Sequence, residues 1–342
     1  MARVGFARWR SELPSGGNRY DDELAAGLRR LGMDVREYPV EGPWPLPGEE
    51  DRARLAELMT EERHWLVGNI VASAVPELLR RAAAEGRHVT MLLHYFPADD
   101  TAMTADECAR LAATEEEAVR TVDRVVVTSP WAAREVAARY GRDDAVVAVP
   151  GVDPAPLAAG SRADGEPPRL LWLGRLSPGK DPLTLVDVLG MVADLPWVAR
   201  LVGPDSVDRA LTDAVRRRAR QSGVADRTEL LGERTGQALE AVWAETDLLV
   251  HTSRAETYGM VVAEAAARGI PSLVGAGTGA VEAQTAGATF PPGDASALAE
   301  LLRAWLTDPA LAARWRAEAS AARAGLPTWA DTVRAVATAL AR

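Results

Sequence analysis

The stretch that decides the fold reads Thr246-Asp-Leu-Leu-Val-His-Thr-Ser-Arg-Ala-Glu-Thr-Tyr-Gly-Met-Val-Val-Ala-Glu-Ala-Ala-Ala-Arg-Gly269. Its beginning, Thr246–His251, is apolar at three successive positions and predicts a buried strand. The apolar run that starts at Met260 predicts a helix, and Gly269 is a typical helix stop. A strand, a short loop and a helix in this order indicate an open α/β sheet, in which ligands bind at the carboxyl ends of the strands.

The same alternation of short apolar runs and helical patterns extends along most of the chain. Candidate strands in the first half are Val4–Trp9, Trp65–Val71, Val89–Tyr95, Arg124–Ser129 and Ala145–Pro150. Those in the second half are Leu170–Gly174, Ala199–Gly203, Thr228–Gly232, Asp247–Thr252 and Pro271–Gly275. Apolar strands separated by helices predict parallel sheets that are covered on both faces.

The alternation stops once, and this pause predicts a domain boundary. The segment Gly151–Pro168 has no apolar period and is rich in Gly and Pro, as linkers are. We therefore predict an α/β protein of two facing Rossmann-like domains, residues 1–155 and 165–325. Residues 326–342 should form a terminal helix that returns to the N-terminal domain, because apolar side chains recur there at helical spacing.

Composition excludes several classes of function. The chain has 342 residues, a net charge of −10, 47% hydrophobic and 26% charged residues, so it lacks the basic surface of a nucleic-acid-binding protein. No apolar run approaches the roughly 18 residues of a membrane span, and the N-terminus does not resemble a signal peptide. Cys108 is the single cysteine, which excludes a disulfide framework. We expect a cytoplasmic monomer or homodimer.

Lys180 is the single lysine of the chain. Lysine and arginine together number 39, so the other 38 cationic residues are arginines. Lys180 lies in Gly174-Arg-Leu-Ser-Pro-Gly-Lys-Asp181, directly after a predicted strand. A compact ammonium group suits phosphate oxygens, although genome-wide replacement of lysine by arginine would also leave an isolated lysine somewhere.

The loop of the opening stretch carries the second group of candidate residues. Glu256 precedes the predicted helix, where unpaired backbone amides from Tyr258 to Met260 can bind anionic or hydroxyl oxygens. Glu264 interrupts an otherwise apolar run, and a carboxylate there is costly unless it has a partner such as a diol. The alternative is that Glu256 caps the helix and Glu264 lies on a solvated edge.

These segments together resemble family 4 retaining glycosyltransferases of the GT-B fold. Glu256 and Glu264 have that family's E-x7-E spacing, and Gly174–Asp181 is similar to its phosphate-binding segment. Pro150–Asp153 is similar to its interdomain Pro-x-Gly-Val-Asp motif with one residue missing, and Ser15–Gly17 to its glycine-rich loop. The order and spacing agree across almost the whole chain.

The resemblance implies which residues bind a nucleotide-sugar donor. Arg175 and Lys180 would bind the diphosphate, whose charge grows as the glycosidic bond breaks. Glu264 would bind the ribose, and Glu256 the hydroxyls of the transferred sugar. Backbone atoms of the second motif and of the glycine-rich loop complete the expected donor site: Tyr258, Gly259, Met260, Gly16 and Gly17. Residues 165–325 would then be the donor domain and residues 1–155 the acceptor domain.

Histidines fall into two groups. His94 ends a predicted strand at a frequent reaction-centre position of the family, so His94 and Glu256 are the catalytic candidates, although a structural strand-end histidine is the alternative. His64 and His88 precede or begin strands and are expected to be structural. His251 ends the strand before Glu256, which is compatible with support of that carboxylate or with simple burial.

The resemblance also implies a mechanism and an acceptor class. The family is usually described as front-face, with the leaving phosphate helping to deprotonate the acceptor in the interdomain cleft. Since the chain has no Asp-x-Asp motif, we expect no metal and no other cofactor. The short glycine-rich loop, Pro14–Asn18, predicts a small acceptor, and such enzymes serve natural-product or glycoconjugate biosynthesis. Candidates for acceptor contact are Arg8, Arg10, Tyr20 and Trp44.

Two other classes of function remain open at this level. A non-catalytic nucleotide or sugar-phosphate binding protein would need the same pocket. Another GT-B enzyme, an epimerase or a sugar-phosphate synthase, is a further alternative, and the glutamate pair argues against the epimerase. A dehydrogenase is disfavoured because no Gly-x-Gly-x-x-Gly follows the first strand. The sugar and the base stay undetermined, since base recognition, expected near Gly232–Thr235, is largely by backbone.

Overall fold

The structure, a computed structural model, describes residues 3–10, 15–101, 103–161 and 165–341. The chain divides into two units. The first contains Met1–Gly151 and Pro327–Arg342, and the second contains Val152–Leu326.

Each unit is built on a sheet with six described strands, all parallel. The first sheet has the order β2-β1-β3-β4-β5-β6, formed by β1 Val4–Arg8, β2 Val35–Pro39, β3 His64–Gly68, β4 His88–Leu93, β5 Arg124–Val127 and β6 Val146–Val147. The second has the order β12-β11-β10-β7-β8-β9, formed by β7 Arg169–Leu173, β8 Val198–Val202, β9 Thr228–Gly232, β10 Leu248–His251, β11 Ser272–Gly275 and β12 Gly287–Phe290.

Helices connect the strands of both sheets. Those of the first unit are α1 Gly16–Arg30, α2 Glu49–Leu58, α3 Asn69–Ala72, α4 Pro76–Ala84, α5 Ala105–Thr121, α6 Pro130–Tyr140 and, at the end of the chain, α13 Trp329–Leu340. Those of the second are α7 Pro182–Met191, α8 Arg209–Gln221, α9 Gly236–Ala244, α10 Met260–Ala267, α11 Ala295–Thr307 and α12 Pro309–Ala322.

The strand orders place one topological switch point in each sheet. In the second sheet the chain moves outward from β7 in one direction through β8 and β9, and in the other through β10 and β11. The loops after β7 and β10 therefore diverge to opposite sides of the sheet and leave a crevice at the carboxyl ends. In the first sheet the equivalent point lies between β1 and β3. Both sheets have the doubly wound architecture that the sequence predicts.

The terminal helix α13 packs against α1 in the first unit, as predicted. Trp329 meets the ring of Tyr20 edge-on at 5.9 Å, and Val333 packs directly on Gly27. The backbone at Gly151 runs so close to the start of α13 that a Cβ there would lie 2.1 Å from the amide nitrogen of Trp329. Only a glycine fits that crossing, which explains the glycine of the Pro150–Asp153 motif.

Several strand predictions were wrong in detail. Two of the four edge strands in the described sheets, β2 and β12, were missed, because their polar and glycine residues lack a continuous apolar run. The strand predicted over Trp65–Val71 ends at Gly68, and its last residues enter the short helix α3. The strand predicted over Ala145–Pro150 is reduced to two residues. Apolar runs show that a segment is buried, but they do not show where its backbone changes conformation.

The predicted linker is ordered where it is described. Ala158 and Gly160 donate backbone hydrogen bonds to Arg268 and Ala244, at 3.0 and 2.9 Å. Ser161 donates its amide and hydroxyl to the buried carboxylate of Asp247. This part of the segment is therefore hydrogen-bonded into the second unit.

Substitution of Gly27 tests the packing of α13. Alanine favours a helix interior over glycine by about 0.5–1 kcal/mol, but a Cβ at this position would lie 2.2 Å from Cγ2 of Val333. We therefore expect Gly27→Ala to lower the free energy of unfolding by about 1–3 kcal/mol, as overpacking does. Val333→Ala removes the obstructing methyl groups. The double variant should therefore lose less free energy of unfolding than the two single variants lose in sum.

Urea denaturation measures these differences. Gly325→Ala is the matched control, since no atom lies within 4 Å of the added methyl group, and its effect should stay within about 0.5 kcal/mol. A Gly27→Ala variant as stable as wild type contradicts the described contact.

Candidate functional site

Two loops at the switch point of the second unit form the first candidate site. One follows β7 and spans residues 174–181; the other follows β10 and spans residues 252–259. Because β7 and β10 are hydrogen-bonded neighbours, the two loops start side by side. Both motifs that the sequence singled out therefore lie together at the carboxyl ends of these two central strands.

Thr252 fastens the two loops together. Its hydroxyl accepts a hydrogen bond from the indole Nε1 of Trp172 at 2.9 Å and lies 2.9 and 2.8 Å from the carbonyl oxygens of Lys180 and Asp181, to which it donates. The amide of Arg254 donates to the carbonyl of Gly179 at 2.9 Å. The lysine loop is thus held by its backbone, which leaves the lysine side chain able to reorient.

Asp181 is the turning point of the first loop. Its φ is +50°, the sole positive value for a non-glycine residue among those described, and aspartate tolerates this conformation better than most side chains do. The buried carboxylate caps α7 through Thr184 and accepts from Nε of Arg254 at 2.8 Å. These bonds stabilise a strained backbone at the edge of the crevice.

The two predicted diphosphate ligands lie on this loop. Arg175 is partly buried, and its guanidinium has no hydrogen bond or ion pair with any other described residue. Lys180 lies in a single 3-10 turn two residues before α7. The stem of Lys180 packs beside Gly174, where a Cβ would lie 3.8 Å from its Cγ.

Two side chains donate to Glu256, and both contact the same carboxylate oxygen. The ammonium group of Lys180 is ion-paired with Oε1, and Nε2 of His251 lies 3.1 Å from the same atom. Oε2 has no hydrogen bond with another described residue. The second carboxylate oxygen is therefore open to a hydroxyl group.

The charge state of Glu256 follows from the same contacts. Burial raises the pKa of this carboxyl, but the Lys180 charge and the His251 hydrogen bond outweigh burial and hold the pKa of Glu256 far below its usual range. Glu256 is thus an anion at neutral pH.

The start of α10 presents backbone amides next to Glu256. Gly259 caps the helix with φ +83°, and a Cβ there would press against Ala280 at 3.2 Å. The amides of Gly259 and Met260 have no acceptor within the described part of the chain, as expected for a helix start. The amide of Gly279 donates to the carbonyl of Glu256 at 2.7 Å and fixes the loop from outside. The side chain of Tyr258, which was also predicted, is buried, so its predicted role would fall to its backbone.

Glu264 lies on the partly exposed stripe of α10. Met260 is one turn toward the helix start and Arg268 one turn toward its end, and all three are neither fully buried nor fully exposed. Residues four apart on a helix share a face, so the carboxylate of Glu264 and the free amide of Met260 lie on the same side.

A second cluster surrounds His94 in the first unit. His94 directly follows β4, and its Nε2 lies 2.8 Å from Oδ1 of the buried Asp21 on α1. The ring meets Tyr20 edge-on at 4.9 Å. A Cβ on Gly17 would lie 3.9 Å from the imidazole, which is an ordinary contact. The start of α1, including the exposed Gly16, therefore faces the predicted histidine. Pro14 of the predicted loop lies outside the described residues.

A buried carboxylate supports the backbone at His94. Asn69 accepts the amide of His94 at 3.0 Å and donates to the carbonyl of Tyr95 at 2.6 Å and to Glu115. Ser73 and Tyr140 donate to the same carboxylate at 2.8 and 2.7 Å. Burial raises the pKa of Glu115, and these three hydrogen bonds oppose the rise.

Two of the proposed acceptor contacts were wrong. Tyr20 is fully buried and donates its hydroxyl to the carbonyl of Ala148 at 2.9 Å. Trp44 is buried in the core, with its indole on the carbonyl of Glu41. Large aromatic side chains fill cores more often than they line rims.

The two arginines of the same prediction are ion-paired. Arg8 and Arg10 both bind Asp22, at 2.9 and 2.8 Å, and Arg8 also binds Glu37. Their charges are therefore already partnered within the first unit.

His64 and His88 lie away from the cluster around His94. His64 and His88 stack at 5.1 Å where β3 and β4 begin, at the opposite end of the strands from His94. Sequence reasoning missed Asp21, Asn69 and Glu115, because their roles depend on contacts between distant segments. A faint signal existed for Glu115, which falls on the apolar face of α5.

Metal-ligand clusters and membrane-spanning helices are both absent from the described residues. No group of three or more His, Cys, Asp or Glu side chains there is placed to hold a metal ion. None of the helices in the described ranges is both long and apolar enough to cross a bilayer.

The two doubly wound parallel sheets are those of a GT-B protein, and the comparisons with known proteins agree. Residues 157–322 match the family described as Glycosyl transferases group 1. The match confirms the resemblance to family 4 of the glycosyltransferases that the motifs predicted.

Relatives of known name are similar over part of their length. A D-inositol 3-phosphate glycosyltransferase of Mycolicibacterium smegmatis is 31% identical over 241 residues, which are 66% of this chain and 54% of that protein. That of Mycobacterium bovis is 32% identical over 174 residues, or 47% and 36%. The chain thus spans about half or less of the length of the curated relatives it matches.

Solved structures show the same fold over the whole chain. Sucrose-phosphate synthase from Thermosynechococcus elongatus superposes with a TM-score of 0.82 at 17% identity, covering 99% of this chain and 98% of that one. HepE from Anabaena, in complex with UDP-glucose, gives 0.77 at 19% identity with 100% of both chains covered. At these identities the likeness establishes the fold alone.

The low pKa of Glu256 predicts a pH dependence of stability. Since the pKa is lower in the folded than in the unfolded state, ionisation of Glu256 stabilises the fold at neutral pH, and this contribution is lost as the pH falls below about 4.5. The free energy of unfolding of wild type minus that of Glu256→Gln should therefore increase between about pH 3.5 and about pH 5.5.

Denaturant titrations over this range measure the difference. Glu300→Gln, on an exposed position of α11, is the control and should show a smaller trend. A difference for Glu256→Gln that is flat with pH would show that Lys180 and His251 do not hold the carboxylate ionised.

Proposed function

We propose that this protein is a retaining glycosyltransferase that moves a sugar from a nucleoside-diphosphate sugar to a small acceptor. The observation that carries the proposal is the ion pair of Lys180 with Glu256 at the switch point of the second sheet, on two loops of which the first also carries Arg175. Two cations and an ionised carboxylate with one open oxygen match a ligand that has a diphosphate at one end and hydroxyl groups at the other.

The cations would bind the diphosphate. Arg175 is a partly buried guanidinium without a described partner, and a guanidinium fork suits phosphate oxygens. The ammonium group of Lys180 has three donors on a flexible stem, so it can add phosphate contacts. As the bond from the sugar C1 to the phosphate oxygen breaks, that oxygen gains negative charge, and fixed cations stabilise it.

The carboxylates would bind hydroxyl groups. Oε2 of Glu256 can accept a hydrogen bond from a hydroxyl of the transferred sugar, while the amides of Gly259 and Met260 donate to its oxygens. Glu264, one turn along the same face of α10, would accept from the ribose of the nucleotide. In this proposal the basic groups of the site bind the diphosphate of the donor, and the acidic groups bind its sugar and ribose hydroxyls.

The transfer step needs no enzyme nucleophile in this proposal. The acceptor oxygen forms its bond to C1 on the face from which the diphosphate leaves, and the acceptor proton passes to the departing phosphate oxygen. Two protein cations would serve the phosphates, so we propose that the reaction requires no metal ion. The cluster of His94 and the start of α1 would bind the acceptor.

The donor is proposed by class, and UDP-glucose is the first probe. The HepE structure contains UDP-glucose, and the curated relatives are named for transfer to D-inositol 3-phosphate. These names suggest which substrates to test first. Non-catalytic nucleotide binding is the competing function, since Arg175 and Lys180 would bind a nucleoside diphosphate equally well without turnover.

A thermal-shift panel of UDP, GDP, ADP, CDP and TDP tests diphosphate binding. A ligand at about 100 times its dissociation constant adds roughly 2.7 kcal/mol to the free energy of unfolding, so the matching nucleotide should give a clear shift, with or without EDTA. Lys180→Ala should lose most of that shift. Lys180→Arg should also be impaired, because a planar fork does not replace a compact charge packed beside Gly174.

Arg217→Ala is the control, since it removes an exposed charge of α8 and should bind normally. Absence of a shift with every nucleotide contradicts the proposed donor site. A shift that disappears in EDTA and returns with a divalent ion contradicts metal independence alone.

Loss of the Glu256 charge separates a transferase from a binding protein. Glu256→Gln should lower release of the nucleoside diphosphate from the sugar nucleotide by about 100-fold, the effect of removing one transition-state contact, while UDP affinity changes little. Steady-state kinetics and UDP titration measure the two quantities, with Glu300→Gln as the control. Normal turnover in Glu256→Gln rules out the assigned role, and a wild type that binds nucleotide without any turnover supports the binding protein.

A further inference from the structure

His251 is the last residue of β10 and contacts the proposed site through one atom. Its side chain is 5% exposed, and Nε2 lies 3.1 Å from Oε1 of Glu256. We propose that His251 is a positioning residue that keeps Glu256 in place when a donor diphosphate draws Lys180 away. This inference rests on the proposed function and deepens it.

The need for such a residue follows from the position of Lys180. In the structure its ammonium group is ion-paired with Glu256, the same carboxylate that would bind the sugar. A diphosphate carries more negative charge than one carboxylate, and it would compete for that cation. Among the described residues, Lys180 and His251 are the two side chains that bind Glu256. Once Lys180 turns to phosphate, His251 is the remaining donor.

A buried carboxylate that loses its cation would become unstable without this donor. Burial by itself raises the pKa of Glu256, so the carboxylate would either take up a proton or rotate toward solvent. Either change removes the acceptor that the sugar hydroxyl needs. A hydrogen bond from Nε2–H of His251 opposes both changes, because it stabilises the ionised form and fixes one oxygen.

The location of His251 suits a fixed donor better than the location of Lys180. His251 is held in β10, a central strand that pairs with β7 and β11, and its register partner is Val274. Lys180 lies on a loop, and its side chain is 28% exposed. Groups on strands are held more tightly than groups on loops. The two donors on Oε1 therefore differ in kind, with a mobile cation on one side and a rigid imidazole on the other.

A histidine that only fills space in the core would have the same low exposure. Substitutions distinguish that role from the positioning of Glu256. The amide nitrogen of glutamine lies four bonds from Cα, as Nε2 of histidine does, whereas that of asparagine lies three bonds away. His251→Gln can therefore donate to Glu256 and His251→Asn cannot reach it. His251→Phe keeps an aromatic ring of similar size without a donor. Thr246→Val, which removes another buried hydroxyl next to β10, is the control for polarity.

The assay is release of UDP from UDP-glucose, or the analogous reaction of the nucleotide that binds best, together with nucleotide affinity and the melting temperature. His251→Gln and Thr246→Val should keep kcat within about threefold of wild type, whereas His251→Asn and His251→Phe should lower kcat by about 10- to 100-fold, as loss of a hydrogen bond to a charged group does. Nucleotide affinity should change less than about threefold in all four, because His251 does not touch the phosphates in this proposal.

A double-variant cycle shows whether His251 acts through Glu256. In the Glu256→Gln background, His251→Phe should cause little further loss of kcat, since the group it positions is already gone. Equal losses in the Gln, Asn and Phe variants, additive losses in the cycle, or a parallel loss of nucleotide affinity would each overturn the inference and leave the proposed function intact. A wild type that releases no UDP would overturn both. The comparison of Gln with Asn decides the matter even if the Phe variant fails to fold.

Discussion

The ion pair between Lys180 and Glu256 is the interaction on which the organisation of the candidate site depends. It joins two loops that are 76 residues apart in the chain, and it does so at the point where β7 and β10 lie side by side. Beneath it, the hydroxyl of Thr252 binds the backbone of the lysine loop, and the indole of Trp172 binds Thr252. The side chains can therefore exchange partners while the backbone that carries them stays in place.

This arrangement reconciles two demands that usually conflict. A site for an anion needs cations that are not fully satisfied by the protein, and a folded protein tolerates few buried charges without partners. The structure meets both demands because Lys180 has a partner within the unit, whereas Arg175 stays partly exposed. One oxygen of Glu256 accepts from Lys180 and His251, and the other oxygen is the one that would accept from a sugar hydroxyl in the proposed function.

The first unit shows a comparable division of work around His94. The histidine follows β4, its ring contacts Asp21 from α1, and its backbone is held by Asn69. The buried Glu115 then fixes Asn69 through a network of neutral donors. Here the supporting carboxyl group of Glu115 is buried in the core and the candidate functional group is partly exposed, so that a rigid interior orients the imidazole of His94.

The sequence by itself determined the fold class and the family resemblance, and it singled out Arg175, Lys180, Glu256 and Glu264 as candidates. The fold class follows from local signals, namely apolar runs and helix stops, whereas the roles expected of the four residues follow from the resemblance of their motifs to the family. The edge strands β2 and β12 escaped, because an edge strand has polar positions and short runs that resemble loops.

The tertiary structure alone decided which side chains meet. His94 and Asp21 are 73 residues apart, and no local pattern links them. His251 could be read from the sequence as either buried or supporting, and the 3.1 Å contact with Glu256 shows which group it faces. Tyr20 and Trp44 were candidates for acceptor contact, and the structure buries both in the core. The physical reason is that a parallel sheet brings strand ends together in spatial order and not in chain order, so the partners of each functional group are set by topology.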